Sequence, residues 1–153
     1  MTTTVVAPTT ETTLIMKRTF AATRTKVFEA WTNPEMLKQW FTASNEYLSP
    51  LAEVDLRVGG RFRMAMKHIE KGNMHIATGI YREIKPPEKL VFTWEWEGEE
   101  ENGQTLVTIE FRAIDTSTEM IFKQEFFPNK KTRDDHEKGW TGCFGNLAKL
   151  FQL

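Results

Sequence analysis

The chain has 153 residues, 40% of them hydrophobic, which is enough to bury one sizeable core without disulfides or metals as staples. With 20 Lys+Arg against 21 Asp+Glu, its formal net charge of -1 offers no global field to draw nucleic acid or an anionic membrane surface. A lone cysteine, Cys143, excludes an internal disulfide framework and a cysteine-rich zinc site, and fits a reducing compartment.

No apolar run reaches membrane-spanning length, and Met1-Thr2-Thr3-Thr4-Val5-Val6-Ala7-Pro8 lacks the basic start and apolar stretch of a secretory signal. The cytoplasm is therefore the expected compartment. Residues 1–12 are rich in threonine, show no alternation that a sheet could bury, and read as a disordered tail; residues 13–153 read as a single domain. The stretch from Thr12 to Phe20 predicts a first strand with Leu14, Met16 and Phe20 turned inward. Thr23 or Thr25 caps a short helix bearing Val27, Ala30 and Trp31 at helical spacing. Thr32-Asn33-Pro34-Glu35 then reads as a capping box opening a second helix, whose Met36, Leu37, Trp40 and Phe41 form one apolar face.

From Pro50 to Phe126 the apolar period is near two, predicting strand after strand. Val54, Leu56 and Val58 alternate with charged residues, and a three-residue loop, Gly59-Gly60-Arg61, pairs Val58 with Phe62 so that Phe62, Met64 and Met66 continue the inward face. Gly72-Asn73 turns the chain into a strand in which Met74, Ile76 and Ile80 are expected inside, although Ala77 and Tyr81 are apolar too; Pro86-Pro87 ends it. Leu90, Phe92, Trp94 and Trp96 alternate next, and the acidic run from Glu95 to Glu101, read as a solvated tip, ends in the hairpin signal Asn102-Gly103. Val107, Ile109 and Phe111, then Met120, Phe122, Gln124 and Phe126, mark the inward faces of the last two strands, for about seven in all.

One long helix follows Pro128, with Lys130, Lys131 and Arg133 before or at its start and Asp134, Asp135 and Glu137 in its first turn, where the dipole favours anions. At about 100 degrees per residue, His136, Trp140, Cys143, Phe144, Leu147, Leu150 and Phe151 form one stripe that must face the sheet. Gly139, Gly142 and Gly145 interrupt this helix at about 1 kcal/mol each relative to alanine. Close approach to the sheet accounts for Gly139. Gly142 and Gly145 point off the stripe and fit a helix contact between subunits, so that monomer and homodimer are both compatible with the chain.

Several segments resemble a known family. Arg18-Thr19-Phe20, Val27-Phe28-Glu29-Ala30-Trp31-Thr32-Asn33-Pro34-Glu35 and Trp40 resemble the opening signature of the family named after the activator of heat-shock-protein ATPase, homologue 1. Val58-Gly59-Gly60-Arg61-Phe62, Pro86-Pro87-Glu88-Lys89-Leu90-Val91-Phe92-Thr93-Trp94 and His136-Glu137-Lys138-Gly139-Trp140 resemble its later motifs in the same order. The resemblance runs from about Leu14 to the C-terminus, departing at Gln124, where many relatives carry a histidine. It implies the α+β helix-grip fold of the START and birch-pollen-allergen superfamily: a curved antiparallel sheet around the long C-terminal helix, with two short helices after the first strand and an apolar pocket inside.

Chemistry is sparse along this chain. His68 and His75 flank the Gly72-Asn73 turn but are expected on opposite sides of the sheet, and two imidazoles without a further placed ligand make no metal site. His136, near the helix start, is expected to be partly exposed. No nucleophile elbow, phosphate loop or dinucleotide fingerprint appears, so no catalytic residue, metal or cofactor is assigned. The expected function is binding of a small hydrophobic or amphipathic molecule by Trp40, Phe62, Met64, Met66, Thr78, Trp94, Phe111, Phe122, Gln124, His136, Trp140 and Phe144, with Thr78 and Gln124 as the polar groups orienting it. A cyclase- or aromatase-like enzyme and a chaperone-linked interaction module are the alternatives that the resemblance implies.

Overall fold

A computed structural model describes residues 5–6, 11–99 and 103–152. Its elements, in chain order, are β1 (Val5–Val6), β2 (Thr13–Phe20), α1 (Arg24–Thr32), α2 (Pro34–Trp40), β3 (Tyr47–Leu48), β4 (Ala52–Val54), β5 (Arg61–His68), β6 (Met74–Lys85), β7 (Lys89–Trp96), β8 (Thr105–Ile114), β9 (Ser117–Glu125) and α3 (Lys130–Leu150). The strands form one antiparallel sheet in the order β1-β2-β9-β8-β7-β6-β5-β3, with β4 also pairing β5. All seven predicted strands are present. β1 and β3 are additional, and β1, paired through Val5 with Lys17 and Val6 with Met16, falls within the stretch read as a tail. The rest of that stretch, up to residue 10, lies outside the described residues.

Alternation sets the inner face. Leu14, Met16 and Phe20 of β2, Met120 and Phe122 of β9, Val107, Ile109 and Phe111 of β8, and Leu90, Phe92 and Trp94 of β7 are all nearly inaccessible to solvent. They stand in cross-strand rows, such as Met16–Phe122–Ile109–Leu90, because directly opposed residues in an antiparallel ladder point to one side. The stripe of α3 closes this surface with Trp140, Cys143, Phe144 and Leu147 buried, while α1 and α2 add Val27, Trp31, Leu37 and Trp40.

The structure departs from the sequence reading at several places. Val54, not Val58, pairs with Phe62, so residues 55–60 form the connection, and Leu56 and Val58 are exposed at 43% and 64%. A slip of four residues keeps every side chain on its own face, so alternation alone cannot distinguish the two registers. The observed one is held by Gly59, whose N–H donates to the Tyr81 carbonyl, and by Tyr81, whose N–H donates to the Gly60 carbonyl. In β6 the inward residues are Ala77, Gly79 and Tyr81, whereas Ile76 and Ile80 are half-buried on the outer face and Met74 is exposed. Space explains the choice: a Cβ on Gly79 would come within 2.6 Å of the Phe62 ring and 1.8 Å of the Thr93 carbonyl oxygen, leaving no room for an isoleucine in that row.

At the end of β9 the alternation breaks. Phe126 adopts a φ of 73° and swings out to 65% exposure, and Phe127 takes the buried place instead. α3 starts at Lys130, earlier than predicted, because the Asn129 side chain accepts the Thr132 N–H at 2.8 Å. No acidic residue occupies its first turn, and Asp134 and Asp135 stand in the second. The second-helix cap is Asn33 alone, accepting from Glu35 and Met36, since Thr32 bonds back to the Phe28 carbonyl.

The glycines of α3 also differ from expectation. A Cβ on Gly142 would lie 1.8 Å from the Ala43 carbonyl oxygen, so this glycine seats the segment after α2 against the helix. One turn on, Asn146 donates to the Thr42 carbonyl and hydroxyl at 3.1 and 2.8 Å, fastening the same segment. Gly142 thus serves an internal contact, while Gly139 and Gly145 meet nothing within 4 Å.

Candidate ligand-binding cavity

A cavity of about 610 Å³ opens between the first turns of α3, the end of β7, the β5–β6 hairpin and the segment after α2. Its inner wall is Phe41, Met66, Trp94, Trp140 and Cys143, and its mouth carries Tyr47, His75, Trp96 and Glu99 opposite Asn129, Lys131, Thr132, Asp135 and His136. Trp94 meets Phe41 and Trp96 edge to face, at 5.9 and 5.5 Å, and lies tilted against Trp140 at 5.0 Å. Among the described residues no leucine, isoleucine or valine lines this space.

Of the residues expected to form a pocket, Met66, Trp94, His136 and Trp140 line it. Phe62 and Met64 instead border a separate void of about 10 Å³, too small to hold more than a single water. Trp40, Phe111, Phe122 and Phe144 are packed into the solid core. Thr78 stands opposite Arg63 and Glu95 on the outer face, where its hydroxyl donates to the Phe62 carbonyl. Thr132, Asp135, Gly139 and Cys143, together with His136 and Trp140, recur at three- and four-residue spacing on α3, a signal that was present in the sequence. Phe41, Ala43, Tyr47 and His75 carried none, because only the fold brings their segments together.

Gln124 is fully buried and committed internally. Its carbonyl oxygen accepts from the Trp140 indole at 2.9 Å, its amide donates to the Thr105 hydroxyl at 2.8 Å, and that hydroxyl donates to the Trp94 carbonyl at 3.0 Å. The chain of bonds orients two cavity walls, and Gln124 itself is not among the residues that line the cavity. Gln124→Met should therefore strand the Trp140 N–H and lower stability by about 1–3 kcal/mol, read as a reduced midpoint in urea at unchanged slope.

The indoles divide in the same way. Trp31 donates to the Met120 sulfur, Trp40 to the Ala30 carbonyl, Trp96 to His136 and Trp140 to Gln124. The buried Nε1 of Trp94 alone has no acceptor among the described residues. His136 is half-buried, and burial lowers its pKa, opposed by its bond to the Thr132 carbonyl and by the carboxylates of Asp135 and Glu99. Burial likewise pushes the Cys143 thiol up, away from reactivity.

His68 and His75 share a face, contrary to expectation: His75 is opposite Met66, and both imidazoles meet the Tyr47 ring, at 5.1 and 6.4 Å. His75 comes to this face because the inward residues of β6 are the odd-numbered ones, Ala77, Gly79 and Tyr81. Among the described residues no group of three or more His, Cys, Asp or Glu side chains is placed to hold a metal.

A curved antiparallel sheet gripping a long C-terminal helix over an internal cavity defines a helix-grip domain, a ligand-binding architecture. Within that class the chain belongs to the family described as Activator of Hsp90 ATPase homolog 1-like protein, whose profile matches residues 21–152. Solved structures agree on the fold. A protein of Chromobacterium violaceum is 24% identical with a TM-score of 0.85, over 93% of this chain and 98% of its own. One from Rhodobacter sphaeroides is 22% identical with a TM-score of 0.84, over 97% of each chain. CalU16 of Micromonospora echinospora is 20% identical with a TM-score of 0.72, over 99% of this chain and 87% of its own. No curated protein matches the chain. Among the described residues no helix is long and apolar enough to cross a membrane.

Proposed function

We propose that the protein binds a small hydrophobic or amphipathic molecule in the cavity beneath the N-terminal half of α3. The observation that carries this reading is the cavity of about 610 Å³ itself, in contrast to the void of about 10 Å³ that Phe62 and Met64 border. That volume falls within the span of about 300–1,000 Å³ used for small-molecule sites. Flat rings and the soft sulfurs of Met66 and Cys143 favour a polarisable guest. The polar mouth suits an amphipathic molecule lying with its apolar end inward. The free, buried Cys143 supports assignment to a reducing compartment, the cytoplasm.

The test uses N-phenyl-1-naphthylamine, an uncharged dye that brightens in apolar surroundings. Wild-type protein should bind it. Gly139→Leu should abolish binding while leaving the melting temperature equal or higher, because Gly139 lines the cavity, its Cβ would meet nothing within 4 Å, and leucine favours the helix. No brightening with wild type, or undiminished binding by the variant, would refute the assignment.

A further inference from the structure

Trp96 ends β7 at the cavity mouth, half-buried, with its ring at 85° to that of Trp94. It is held from one side. Its Nε1 donates to His136 Nε2 at 3.0 Å, and His136 Nδ1 lies 2.8 Å from the Thr132 carbonyl oxygen. An indole N–H can only donate and a carbonyl can only accept, so one form of the imidazole satisfies both: neutral, with its hydrogen on Nδ1. An imidazolium would set an Nε2–H against the indole N–H. The contact would then be repulsive.

The surroundings of the ring are mixed. Glu99 reaches it from the β7–β8 connection, Asp135 precedes it on α3, the Phe127 ring packs on it at 4.9 Å, and His75 of β6 stands behind Trp96 at 6.4 Å. Lys131 is paired with Asp135 at 2.9 Å. Burial outweighs the two carboxylates and holds the imidazole neutral near pH 7.

We propose that His136 positions Trp96 as a wall of the cavity and acts as a pH-sensitive latch: neutral, it holds the ring in place; protonated, it lets go and the cavity loses its guest. The loss of the guest rests on the binding reading above; the latch itself does not. Because the imidazole is more readily protonated in the unfolded chain, at a pKa of about 6.5, the fold keeps this contribution in full above that pH and loses it as pH falls through the window beneath.

Two readouts separate the parts. The ¹⁵N–¹H resonance of the Trp96 indole, followed in the free protein from neutral to mildly acidic pH, reports the latch; the affinity for N-phenyl-1-naphthylamine over the same range reports retention. In the wild type the indole resonance should titrate together with the His136 ring, and dye affinity should fall about fivefold, the worth of one hydrogen bond. His136→Gln keeps an acceptor near the Nε2 position but does not titrate, so both readouts should stay level with pH. His136→Phe removes the acceptor and should show the weakened affinity at neutral pH. A Trp96 resonance that stays still while His136 titrates, or a Gln variant that loses dye in acid as the wild type does, would overturn the latch. If the dye fails to bind at any pH, the binding reading falls and the indole titration alone decides the latch.

Discussion

Replacing Trp31 with alanine should remove about 3–5 kcal/mol of stability, a large share of the total for a domain of this size. Trp31 is 3% exposed and lies where every layer meets. Its ring is 4.7 Å from Trp40 of α2, 5.8 Å from Trp140 of α3, 6.1 Å from Phe144, and stacked at 23° on Phe122 of β9, while its N–H points at the Met120 sulfur. Partners drawn from two other helices and the sheet cannot all move inward to fill the hole, so the cavity cost adds to the lost transfer energy. Trp31→Phe should cost less than half as much, since one ring still bridges the layers. Urea unfolding followed by far-ultraviolet circular dichroism, which does not depend on the deleted fluorophore, measures both. A loss under about 1 kcal/mol for the alanine variant would show that Trp31 is not the keystone of this core.

Gly142 and Gly145 should respond to the same substitution with opposite signs. Both lie in α3, where alanine is favoured over glycine by about 1 kcal/mol. At Gly145 nothing stands within 4 Å of the added carbon, so Gly145→Ala should stabilise by up to that amount. At Gly142 the carbon would fall 1.8 Å from the Ala43 carbonyl oxygen, a backbone atom that can move only with its whole segment. Overpacking of this kind costs about 1–3 kcal/mol or more, enough to outweigh the helical gain. Displacing Ala43 also pulls on Thr42, which Asn146 holds by two hydrogen bonds. Gly142→Ala should therefore lower the melting temperature by several degrees while Gly145→Ala raises it, and dye binding should weaken only in the former, because Ala43 lines the cavity. Equal shifts for the two variants would contradict the close approach.

Periodicity in the chain was sufficient for the elements and for most of their faces. Leu14 and Met16, Phe62 to Met66, Leu90 to Trp94, Val107 to Phe111 and the α3 stripe from Trp140 to Leu147 all sit where alternation or helical spacing put them. These patterns are local and repeat several times, so one buried side is the only arrangement that removes their apolar area from water. The family could be recognised for the same reason, since its motifs are contiguous runs of residues.

What only the tertiary structure decided is where the pattern has two solutions or where distant segments meet. The β4–β5 register slid by four residues without changing a face, the small residues of β6 won the interior because neighbouring rings already filled it, and Phe126 gave way to Phe127 through one positive φ. The cavity belongs to this second group. Trp94 and Phe122 alternate alike along their strands, yet one borders open space and the other solid core. An inward side chain touches a void or a neighbour according to how far the opposing helix stands from it. That distance is set by contacts such as Gly142 on Ala43, between residues far apart in the chain, and no local period encodes it.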